Sequence, residues 1–133
     1  MNQTSIRVCL SIFGELFDPN ALTNLVGLTP TKTGIKGQPI EGKAMTYKDT
    51  FWDFSTDAVD SLFLEEAASP LVNKLKGLES TIVQFMTAHA LLAKIYIVVE
   101  IVDEQTPALY LNRAFLSCIE SLRAEVDIDS YVL

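Results

Sequence analysis

The stretch Phe17-Asp-Pro-Asn-Ala-Leu-Thr-Asn-Leu-Val-Gly-Leu-Thr-Pro30 carries start and stop signals for one short helix. Asp18 offers a side-chain oxygen to the first free N–H groups, and Pro19 suits the first helical position. Gly27 supplies the left-handed residue that ends the helix, and Pro30 prevents it from resuming. Leu22, Leu25 and Val26 lie three or four apart, so they can reach one core. The segment before it, Thr4 to Phe13, alternates. Ile6, Val8, Leu10 and Ile12 face one way, and Arg7, Cys9, Ser11 and Phe13 the other. Period two predicts a strand with its aliphatic set on the core.

Thr29 to Lys43 has no period and holds three glycines and two prolines, so it is read as loop. It is also the basic part of the chain, with Lys32, Lys36, Lys43 and nearby Lys48. Its Lys32-Thr-Gly-Ile-Lys-Gly37 order does not match a phosphate loop, which ends Gly-Lys-Ser/Thr and opens a helix. Ala44 to Tyr47 suggests a short strand, and Phe51 to Ser55 a clearer aromatic one. Trp52, the only tryptophan, either packs under a helix or loop or serves as an exposed recognition aromatic.

Asp49, Asp53, Asp57, Asp60, Glu65 and Glu66 follow with no base among them. Two of these Asp residues would flank a helix starting near Ala58. Ser69 and Pro70 then read as the cap and first residue of a long helix striped by Leu71, Leu75, Leu78, Ile82 and Phe85, with a kink or break at Gly77. Lys94 to Val102 is a strand. Asp103 to Pro107 is a turn, and Leu109 to Leu111 should return antiparallel beside it. Asn112 caps a last helix that buries Phe115, Leu116, Ile119 and Leu122. Glu125 to Val132 is a closing strand with Asp127 and Asp129 on a wet face or at an edge.

Residues 1–133 therefore form a single α+β domain. The expected architecture is a two-layer sandwich, a mostly antiparallel sheet with helices on one face, ferredoxin-like or an elaboration of it. With 49% hydrophobic residues the chain can bury a core. The 17 acids against 10 bases give a net charge of −7, which disfavours nucleic acid and suits a basic partner. The Met1-Asn-Gln-Thr4 start lacks a signal-peptide pattern and no apolar run is long enough to span a membrane, so a cytoplasmic protein is expected.

Asp18-Pro-x-x-Leu22-Thr23-x-x-Val26-Gly27-Leu28-x-Pro30-Thr31, then Lys36-Gly37, the isolated Trp52, and the Asp127-Ile-Asp129-x-Tyr131 ending form an ordered set over nearly the whole chain. It resembles the bacterial domain-of-unknown-function family 4279, with Val26 where leucine is commoner. The resemblance carries no catalytic residues with it, and it implies a setting among toxin-immunity genes.

Catalytic constellations are thin. His89 is the sole histidine and reads as a helix-end residue. Cys9 and Cys118 fit buried apolar patterns and form no disulfide framework. Asp127 and Asp129, two apart on a strand, could serve as a carboxylate pair, yet no third ligand accompanies them, and no metal or cofactor is expected. The reading is a non-catalytic protein-binding module, an immunity-type inhibitor that occludes a cationic toxin domain. Its expected partner-binding residues are Trp52, Asp53, Asp57, Asp60, Glu65, Glu66, Asp127 and Asp129. The alternative is a small-ligand-binding or regulatory domain acting as a dimer, with a cleft lined by Trp52, Tyr96 and Tyr110.

Overall fold

A computed structural model describes residues 3–133, so the N-terminal reading at Met1 and Asn2 lies outside the described residues. Six strands and four helices follow in the order β1 (Ser5–Gly14), α1 (Pro19–Val26), β2 (Lys32–Gly34), β3 (Thr50–Ser55), β4 (Val59–Asp60), α2 (Leu64–Leu75), α3 (Glu79–His89), β5 (Leu92–Ile101), α4 (Arg113–Ser121) and β6 (Ala124–Val132). The strands make one sheet in the order β2-β3-β1-β5-β6, with β4 also paired to β1. Every pairing is antiparallel except β5 with β6, which is parallel. The α+β, mostly antiparallel expectation therefore holds. The element order is not the βαββαβ of a plain ferredoxin-like unit.

One hydrophobic core explains the layering. Ile6, Val8, Leu10 and Ile12 of β1, Trp52 of β3 and Ala93, Ile95, Ile97 and Val99 of β5 are buried together with residues from all four helices. The helices thus share one face of the sheet, and the other face is left open. α1 forms as its caps dictate. Asp18 accepts from the Asn20 N–H at 3.0 Å, and Gly27 takes a left-handed φ of 74° while donating to the Thr23 carbonyl. Leu22 and Val26 are buried, but Leu25 is exposed.

Three local expectations are corrected, and the expected break at Gly77 holds. No helix starts near Ala58: β4 pairs there with the start of β1, and the helix begins at Leu64. Ser69 and Pro70 do not open a helix, because α2 runs through Pro70. Its stripe Leu64, Ala67, Ala68, Leu71 and Leu75 is fully inward, whereas Pro70 is exposed, so water can serve the Glu66 carbonyl that Pro70 cannot reach. The stripe then breaks at Gly77, where φ is 86° and the amide donates to Glu79 Oε1 at 2.8 Å. Leu109 to Leu111 is no strand. Asp103 and Glu104 turn the chain with positive φ, and Ala108 donates to the Leu62 carbonyl instead. β5 takes its neighbour through the α4 crossover to β6, which makes that pair parallel.

Smaller differences concern loops and surfaces. β2 lies inside the stretch read as loop, and Ala44 to Tyr47 contributes only an isolated bridge between Pro39 and Thr46. Asn112 does cap α4, accepting from the Phe115 N–H, but Leu116 is exposed while Cys118 is buried. Among the described residues, no helix is long and apolar enough to cross a membrane.

Candidate functional site: the open face of the sheet

Strand register fixes which side chains share the uncovered face, because cross-strand partners point the same way. One row runs Lys32, Asp53, Ser11, Lys94, Glu125. The next runs Ser55, Cys9, Tyr96, Asp127. Beyond it lie Arg7, Val98 and Asp129, then Asp60, Ser5, Glu100 and Tyr131. On the other side of the first row stand Gly34, Phe51, Phe13 and Leu92. Acids therefore outnumber bases: Asp53, Asp60, Glu100, Glu125, Asp127 and Asp129 share the face with Arg7, Lys32 and Lys94.

Asp53 sits at the centre. It lines both a concavity of about 410 Å³ reaching towards Phe13, Tyr47 and Lys94 and a second of about 370 Å³ reaching towards Arg7, Asp129 and Tyr131. Its Oδ1 is buried and has no hydrogen-bond partner among the described residues. Burial pushes its carboxyl above the ordinary range, while Ser11, Lys32 and Arg7 pull it back. Tyr96, which lines both hollows too, is raised mainly by burial. Lys94 Nζ lies 5.9 Å from the Phe13 ring and 5.7 Å from the Tyr96 ring, so its charge rests over aromatic faces. The basic loop closes one side: Tyr47 meets Phe51 edge-on at 5.1 Å, with Lys32 Nζ 5.9 Å from the Tyr47 ring.

The thiols and the imidazole do not assemble. Cys9 lies in β1 on the open face, where burial first and the Asp53 charge second push its thiol up to about 12. Cys118 lies in α4 on the helical side, pushed by burial to about 11. His89 ends α3, exposed, with its ring 4.4 Å from that of Phe85. The sheet stands between Cys9 and both of the others.

The expected partner-binding residues divide. Asp53, Asp60, Asp127 and Asp129 come together on the open face. Asp57 is exposed beside a separate cleft with Val59, Pro70 and Lys74. Glu65 and Glu66 occupy the first turn of α2, where the helix dipole favours them, and Ser61 donates to Glu66 Oε1. Trp52 takes the packed alternative and is no exposed anchor: it is 0% exposed, on the helical side, and its indole N–H donates to Thr23 Oγ1 of α1 at 2.9 Å. A cleft of Trp52, Tyr96 and Tyr110 does not form, since Tyr110 stands on a distant loop beside Phe63 and Glu65. Arg7, Phe13, Lys94, Glu100 and Glu125 were not singled out. The signal for the first two was present in the off-core half of the first alternating strand.

No curated protein and no solved structure matches the chain significantly. The family profile described as "Domain of unknown function (DUF4279)" matches residues 3–133. The match spans the capped helix, the whole sheet and all four helices, and the chain belongs to the DUF4279 family.

Proposed function

We propose that this chain is a non-catalytic protein-binding module that offers its open sheet face to a cationic partner. Its most concrete form is an immunity-type inhibitor that occludes a basic toxin domain in the bacterial cytoplasm. The observation that carries the reading is the acidic excess on the uncovered face of the six-stranded sheet, with Tyr96, Tyr131 and Phe13 interleaved. Such a surface steers a basic partner by its field, and its aromatics supply the apolar contact area. The two thiols are held protonated and set apart from His89, which agrees with a role in binding.

The test is affinity capture from the native host with the tagged chain as bait, at low and at high salt. The reading expects a basic protein retained at low salt and released as salt screens the face. Recovery of no basic protein, or a complex indifferent to salt, contradicts it.

A second reading, a small-ligand or regulatory domain, is favoured by the unpaired Asp53 oxygen beside the aromatic concavity. A ligand with a hydrogen-bond donor and a flat apolar part would suit it. A thermal-shift screen across metabolites decides: a concentration-dependent rise in Tm that is lost in Asp53→Ala supports it, and no rise counts against it.

A further inference from the structure

β6 is the last strand of the sheet. Along one edge it pairs with β5 from Ala93 opposite Ala124 to Ile101 opposite Val132. Its other edge has no strand partner among the described residues. The Leu133 amide donates to the Ile101 carbonyl at 2.9 Å, so that amide points at β5. Backbone groups two residues apart point the same way. The N–H and C=O groups of Glu125, Asp127, Asp129 and Tyr131 therefore serve β5, and those of Val126, Ile128, Ser130 and Val132 face outward.

The side chains give this edge two different borders. Val126, Ile128 and Val132 lie on the helical side, yet they are 36%, 42% and 79% exposed, because the helical layer stops short of them. Asp127, Asp129 and Tyr131 border the open face. Lys and Pro, which commonly blunt a free edge, are absent from Ala124–Val132. A second copy of this chain is a poor occupant, since pairing β6 with β6 brings the Asp127 and Asp129 rows together, and like charges across a ladder are destabilising.

We propose that β6 is a receiving edge, to which an extended segment of a partner, alternating apolar and cationic residues, adds as a further strand. Its main-chain groups pair with the outward N–H and C=O groups of Val126, Ile128 and Ser130. Its apolar residues cover Val126, Ile128 and Val132, and its cations meet Asp127 and Asp129. This rests on the cationic-partner reading above and gives it a geometry.

The test uses the full chain with a short acetylated peptide alternating valine and lysine, and a valine–glutamate peptide as control. Binding is followed by amide shifts in NMR. Ser130→Pro removes one outward N–H without touching the β5 ladder, and Ser130→Ala controls for the lost hydroxyl. A thermal melt confirms that both variants fold. The proposal expects the lysine peptide to shift β6 amides, to bind at least about tenfold tighter than the glutamate peptide, and to lose about tenfold in Ser130→Pro but not in Ser130→Ala. Equal binding of the two peptides, or equal binding by the two variants, overturns it. A captured basic protein that Ser130→Pro still holds sinks the edge alone. Lysine-peptide binding with no basic protein captured sinks the wider reading alone.

Discussion

The indole N–H of Trp52 donates to the hydroxyl of Thr23 across 2.9 Å, and the bond joins the centre of β3 to the short helix α1. Trp52 is fully buried, so no water can replace that acceptor. Thr23→Val keeps the shape and removes the oxygen. The expected cost is about 1–3 kcal/mol, the penalty for a stranded buried donor, measured by urea unfolding. An unchanged midpoint would mean the indole has found another acceptor.

Two helix ends make opposite predictions. Gly27 closes α1 with φ 74°, and Gly27→Ala should lose about 1 kcal/mol. Ala90 closes α3 with φ 55°, where a Cβ is strained. Ala90→Gly should therefore stabilise by a few tenths to about 1 kcal/mol. Paired thermal melts check the signs.

Asp53 sets a pH dependence. Burial raises its folded pKa above the ordinary 3.8, so the folded state holds the proton more tightly than the unfolded chain does. Its contribution is fully favourable below the unfolded value and is lost as pH rises through the folded one. Asp53→Asn removes the titration. The variant's stability relative to the parent should rise between acid and neutral pH, with little difference below the ordinary carboxylate range. A flat difference across that window would contradict the burial argument.

Both thiols should be inert in the native protein. With values of about 12 at Cys9 and about 11 at Cys118, little thiolate exists at pH 8, and both sulfurs are shielded. Ellman's reagent should label neither at the rate of a free cysteine and both once urea is added. Rapid native labelling of either would refute it.

What could be read from the chain was what neighbours in sequence decide. Asp18 and Gly27 mark α1 because a cap bond and a left-handed φ act within one turn. The alternation of β1 fixed both its buried side and, by remainder, the open face that Arg7, Ser11 and Phe13 share. Pro70 misled because a proline resembles a helix start unless its solvent-facing position is known. The supposed Leu109 to Leu111 return failed for a different reason. The choice between a hairpin and the α4 crossover depends on how β6 competes for the β5 edge, which nothing local encodes. The site was half legible for the same cause. Asp53, Asp60, Asp127 and Asp129 stood out as acids, but register alone placed them on one surface and left Glu65 and Glu66 on another.

That separation allows the most direct measurement. Reverse the open-face charges with Asp60→Lys, Asp127→Lys and Asp129→Lys in one chain, and the α2 charges with Glu65→Lys and Glu66→Lys in another. Repeat the low-salt capture with each as bait. The account predicts that the basic partner is lost from the first and kept by the second. Retention by the first, or loss from both alike, would contradict it.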